Sequence, residues 1–148
     1  MSRWLDRVTL GIYWGSLALG LVLPWVLDLG FHGPGLRRRL FAPGENVFLI
    51  GVLNAAPFTV YAVFALLHLG TADRRAAGIA WRRLGGVAGA GLAVLGTSLW
   101  LHLAILTSRS STAAIGYLFL PVGVLMALPL GYAGGRLAAA FWPKPGGS

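Results

Sequence analysis

Residues 47–70 read VFLIGVLNAAPFTVYAVFALLHLG and contain no Asp, Glu, Lys or Arg. As a helix rising about 1.5 Å per residue, this stretch is long enough to cross a hydrocarbon core about 30 Å thick. Three further stretches have the same character: Val8–Leu27, Leu84–Leu106 and Ala113–Ala140, none with a charged residue in its central part. The pattern predicts an all-α integral membrane protein, a bundle of four transmembrane helices. It forms one domain over residues 1–148, with residues 143–148 as a disordered tail.

Composition supports that class. Hydrophobic residues make up 57% of the chain and charged residues 11%, against about a quarter charged in an average soluble domain. Four spans leave no length for a separate soluble domain. The 22 glycines fit membrane helices, where small residues let backbones approach. The 8 prolines are tolerated because neighbouring groups satisfy the freed carbonyls. The absence of cysteine excludes disulfides, thiolate metal sites, iron–sulfur clusters and thiol redox chemistry. Arg3 and Arg7 precede a hydrophobic run that is too long for a signal peptide and lacks a small-x-small cleavage pattern, so it reads as an uncleaved first span.

The net charge of +8 sits in residues that flank spans. Anionic lipid headgroups are therefore the expected partners, and nucleic acid is not. Arg3, Arg7, Arg74, Arg75, Arg82, Arg83, Arg136 and Lys144 fall on one side of a four-span chain, and Arg37, Arg38, Arg39 and Arg109 on the other. The positive-inside rule then favours cytoplasmic N- and C-termini, with the bacterial cytoplasmic (inner) membrane as the expected location. Arg37, Arg38, Arg39, Arg74, Arg75, Arg82 and Arg83 are the candidate headgroup contacts.

Loop one, Gly30–Asn46, carries the turn signals Gly33-Pro34-Gly35 and Pro43-Gly44 around the segment Leu36–Phe41, which reads as an interfacial turn or a solvated positive loop. Loop two, Thr71–Arg83, places Trp81 among arginines as an interfacial anchor. Loop three, Thr107–Thr112, is so short that spans three and four must be antiparallel neighbours. Ser110, Ser111 or Thr112 is expected to cap the fourth helix. The small pairs Gly11/Gly15, Ser16/Gly20, Gly85/Gly89 and Gly131/Gly135 are expected to pack within the bundle.

Span two carries a polar stripe. Asn54, Tyr61 and His68 recur every seven residues, which keeps them on one helical face. Ser98 and His102 share a face of span three, and Tyr117 and Pro121 one of span four. Polar groups are costly in lipid, so Asn54, Tyr61, Ser98, His102 and Tyr117 should point inward as an interhelical polar cluster or ligand site. In antiparallel helices Asn54, His102 and Tyr117 fall at outer-leaflet depth, with Asp28, His32, Glu45 and Arg109 just above. The bland alternative is interhelical glue, worth about 0.6 kcal/mol per bond on average.

No compact catalytic motif appears: the chain has no Walker loop, no Gly-x-Ser-x-Gly elbow and no His-Glu-x-x-His. Haem ligation by His68 and His102 is disfavoured because they fall at opposite ends of their spans. A zinc site from His32, His102 and a carboxylate matches no ligand spacing, so no cofactor is assigned. Gly116-Tyr117 is not a potassium-filter motif, since Leu118 stands where a second glycine is needed. The length and span number are similar to those of small multidrug transporters, but the membrane-embedded glutamate which that family carries in its first span is missing here.

Three functional classes follow. The first is an assembly, interaction or lipid-binding subunit of a membrane complex, with a membrane-protein partner or a second copy. The second is a small transporter or channel. The third is a membrane enzyme acting at the outer leaflet. The first has the fewest contradictions.

The topology is open to a direct test, because single cysteines can be introduced into a cysteine-free chain. Ser108→Cys should react with an impermeant thiol reagent only from the outer side, and Ser2→Cys only from the cytoplasmic side. Labelling of Ser108→Cys only from the cytoplasm would reverse the orientation.

Overall fold

The computed structural model of the chain describes residues 2–32, 47–70, 77–108 and 113–141. Among them are four long helices and no strand. We number these α1 (Ser2–His32), α2 (Val47–Gly70), α3 (Ala77–Thr107) and α4 (Ala113–Phe141). Three stretches are long and apolar enough to cross a membrane: Gly51–Gly70, Trp81–Thr107 and Ile115–Phe141. The chain is therefore a helical membrane protein. In α1 the apolar stretch among the described residues is shorter, Leu10–Leu23.

Two boundaries differ from the sequence reading. Helix α1 continues through His32, so Gly30, Phe31 and His32 are helical and not part of loop one. Helix α3 starts at Ala77, so Ala77–Arg83 is helical and not part of loop two. Hydropathy marks only the part of a helix that matches lipid, and helices continue past it wherever no proline intervenes. The interfacial turn of Leu36–Phe41, the caps at Ser110 to Thr112 and the tail 143–148 lie outside the described residues. At the end of α3, Ser108 N–H donates to Ile105 O at 3.2 Å, tightening the final turn.

The helices pack as two antiparallel pairs, α1 with α2 and α3 with α4, and α2 also touches both α3 and α4. The core lies along one face of α2 (Phe58, Tyr61, Ala65, Leu69), one of α3 (Val87, Ala90, Val94) and one of α4 (Leu120, Val124, Leu128). Each set repeats at three- and four-residue steps, the period of a helix face. The opposite faces expose large apolar residues such as Leu92, Trp100, Phe119, Met126 and Leu130, the surface that lipid covers.

Glycine sets the distance between α3 and α4. A Cβ on Gly89 would strike the Gly131 carbonyl, and one on Gly135 would strike the Gly85 carbonyl. The two backbones are in direct contact, with no room for a side chain between them. Toward the other end of the pair, Gly123 and Gly116 accommodate Leu101 and Ile105, whose side chains lie 3.2 and 3.1 Å from where a Cβ would sit. In the α1–α2 pair, Gly20 lies against Phe58 and Gly51 against the Trp25 indole. Gly11 and Gly15 depart from the expected packing: both are exposed with open space beside them. Gly15 precedes inward-facing Ser16 by one residue, which turns it about 100° away on the helix.

Gly89→Leu and Gly135→Leu should each separate α3 from α4 and destabilise the chain by about 1–3 kcal/mol, the usual cost of overpacking. Gly96→Leu and Gly134→Leu, at open positions, should remain within about 0.5 kcal/mol of wild type. Thermal unfolding in detergent compares the four.

Candidate functional site: a buried polar core across three helices

The polar core begins with a missing hydrogen bond. Helix α1 runs through Pro24, which has no N–H. The Gly20 carbonyl, which the amide of residue 24 would otherwise fill, is left without its helical donor. Asn54 of α2 supplies one, its Nδ2 donating to Gly20 O at 3.0 Å. The approach is close because position 20 has no side chain: a Cβ there would lie 2.8 Å from Phe58 Cβ, one turn along α2 from Asn54.

The other end of the Asn54 amide reaches α3. Ser98 Oγ donates to Asn54 Oδ1 at 3.2 Å. Both side chains are buried, Asn54 at 2% and Ser98 at 0% exposure. Since Oδ1 accepts and Nδ2 donates, both faces of the amide are used, and α1, α2 and α3 are joined at one depth.

One turn along α3, His102 is 1% exposed. Its Nδ1 lies 2.8 Å from the Ser98 carbonyl. A carbonyl only accepts, so Nδ1 carries the proton and Nε2 holds a lone pair. That Nε2 is buried without a hydrogen-bond partner among the described residues. Leaving a buried acceptor unmade costs about 1–3 kcal/mol. Tyr117 of α4 meets the imidazole edge-on, ring centroids 5.7 Å apart at 62°. Tyr117 is half-buried and packs against the apolar core.

Tyr61 belongs to a separate contact nearer the middle of α2. Its hydroxyl donates to the Val87 carbonyl of α3 at 3.1 Å. The phenol fits because position 91 is glycine: a Cβ there would lie 2.5 Å from the Tyr61 oxygen. Its seven-residue spacing from Asn54 placed it on the right face, yet it makes its own link one stage further along. Thr59 returns its hydroxyl to Ala55 O at 2.9 Å, within its own helix.

The structure thus brings Asn54, Ser98 and His102 together, sets Tyr117 against His102, and keeps Tyr61 apart. Of the outer-face candidates, Asp28 and His32 fall on the end of α1 with side chains outside the described set, and Glu45 and Arg109 lie outside the described residues. The same is true of Arg37, Arg38, Arg39, Arg74 and Arg75. Arg82 is exposed and Arg83 half-buried. Among the described residues no three His, Cys, Asp or Glu side chains are grouped to hold a metal ion. The missed element was Gly20 as acceptor. Its signal was present in the sequence, since Pro24 four residues on in a predicted helix implies an orphaned carbonyl.

No protein family, curated protein or solved structure matches this chain.

Asn54→Leu removes a donor to Gly20 and an acceptor for Ser98, and should cost about 1–2 kcal/mol in detergent unfolding. The cost should shrink in a Pro24→Ala background, where an amide at position 24 refills the Gly20 carbonyl. Equal losses in both backgrounds would refute the orphan-carbonyl account.

Proposed function

We propose that the chain is a small polytopic subunit of a bacterial inner-membrane complex, acting in assembly, interaction or lipid binding, with four spans and both termini cytoplasmic. The observation that carries this reading is the use made of the buried polar groups. Asn54, Ser98 and Tyr61 each bond to another helix, and two of these bonds end on backbone carbonyls. Groups so committed are structural fasteners, and bonds of this kind between membrane helices contribute about 0.6–1.7 kcal/mol each. The exposed apolar faces of α3 and α4 suit lipid or a neighbouring helix. The basic residues near the helix ends suit anionic headgroups.

A second reading rests on one atom. The lone pair of His102 Nε2 is what a metal ion or a donor ligand would use, and it favours the outer-leaflet enzyme over a transporter. A coupled transporter ordinarily carries an acidic or strongly basic side chain at membrane depth, and the central parts of the spans hold no Asp, Glu, Lys or Arg.

His102→Ala separates the two readings. On the subunit reading, the purified chain carries no stoichiometric metal, and the variant unfolds at lower temperature while keeping its helicity and its association state. Stoichiometric metal in the wild type that is lost in His102→Ala, by elemental analysis of the purified protein, would overturn it.

A further inference from the structure

We infer that the chain has a built binding site for the headgroup of an anionic phospholipid, at the end of the bundle opposite His102. The site is formed by His68 of α2, Arg83 of α3, and Tyr132 and Arg136 of α4. With Leu67 these residues line a cavity of about 320 Å³. None of the described residues lining it is acidic. Two arginines line the one cavity, and an anion placed there is attracted to both. A guanidinium is also the side chain best matched to a phosphate, through paired parallel N–H donors.

The cavity walls are preorganised. Phe64, His68 and Tyr132 form a ring trio, Tyr132 meeting the other two edge-on, with centroids 4.0 Å apart for Phe64–His68, 5.2 Å for Phe64–Tyr132 and 5.1 Å for His68–Tyr132. The guanidinium carbon of Arg136 lies 5.7 Å from the Tyr132 ring centroid, which holds the cation over the ring. Gly86 of α3 seats both residues: a Cβ there would lie 2.5 Å from Tyr132 Cε2 and 2.7 Å from Arg136 Cγ. His68 Nδ1 donates to Phe64 O at 3.1 Å, leaving Nε2 as the ring's remaining polar atom.

A lipid is the occupant the geometry favours over a free anion. Leu67 lines the cavity and is 61% exposed on the apolar flank of α2. An acyl chain can leave the headgroup along that flank, whereas inorganic phosphate gains nothing from it. The inference rests on the lipid-binding part of the proposed function and names the residues that carry it.

The test uses the full chain in mild detergent, titrated with short-chain phosphatidylglycerol, short-chain phosphatidylcholine or inorganic phosphate, with thermal unfolding as the readout. Phosphatidylglycerol should give a saturable stabilisation that the other two do not. Arg83→Gln and Arg136→Gln should each weaken it about fivefold, as expected for one basic residue near an anionic lipid surface. Arg7→Gln, the same charge change at an exposed position on α1, should leave it within twofold. Should Arg83→Gln fail to fold, Arg136→Gln, exposed on α4, carries the test alone. Equal weakening by Arg7→Gln and Arg136→Gln would overturn the cavity and leave general lipid binding standing. Stabilisation by inorganic phosphate at equal concentration would overturn the lipid assignment. Absence of any phosphatidylglycerol effect would remove both the site and the lipid-binding reading.

Discussion

The bond from Asn54 to the Gly20 carbonyl is the contact on which the arrangement of α1, α2 and α3 turns. A backbone carbonyl buried away from water needs a donor, so a proline within a packed helix creates a demand at one fixed position. Pro24 creates it, Gly20 leaves space for a neighbour to answer, and Asn54 answers at 3.0 Å. Ser98 then bonds to the other side of the same amide at 3.2 Å. A single carboxamide therefore sets the register of three helices. An apolar contact does not do this, because apolar surfaces slide past one another at little cost while a hydrogen bond fails within about an ångström.

Helix α2 is the central element for the same reason. It touches the other three helices, and it carries Asn54 and Tyr61, each of which bonds to another helix. The α3–α4 pair is held differently. There the glycines at 85, 89, 131 and 135 bring backbone onto backbone, and close dispersion contact replaces hydrogen bonding. The fold thus combines a polar clasp around α2 with a backbone-to-backbone seam between α3 and α4.

Much of this was legible in the sequence, because hydropathy and helical period report directly on lipid contact and on facing. Val47–Gly70 coincides with α2 to the residue, and the stripe of Asn54 and Tyr61 correctly marked an inward face. What the sequence did not give up depends on pairing between helices. Gly85 and Gly11 look alike in a list of small residues. Only the rotation of each helix against its neighbour decides that one lies in a seam and the other faces outward. His68 and Arg83 lie far in the chain from Tyr132 and Arg136, and nothing local indicates that the four line one cavity. The ends of α1 and α3 were missed because a helix outlasts its apolar segment, and hydropathy is blind beyond the hydrocarbon.

The two ends of the bundle use polarity in opposite ways. Around Asn54 the polar atoms are buried and committed to other helices, so removing one subtracts directly from the stability of the fold. Around His68 the polar atoms line an open cavity and belong to residues whose apolar portions already pack, as the Tyr132 ring and the Arg136 stem do over Gly86. Charge can be removed from that end while the stem and ring still fill their places, so the packing need not fail with the electrostatics. His102 lies between these regimes. It is buried like a fastener, bonded through Nδ1 to its own helix, and holds an acceptor at Nε2 that no described residue fills. Its ring meets Tyr117 edge-on while its Nδ1 bonds within α3, so one side chain joins a ring contact between helices to a polar bond inside its own.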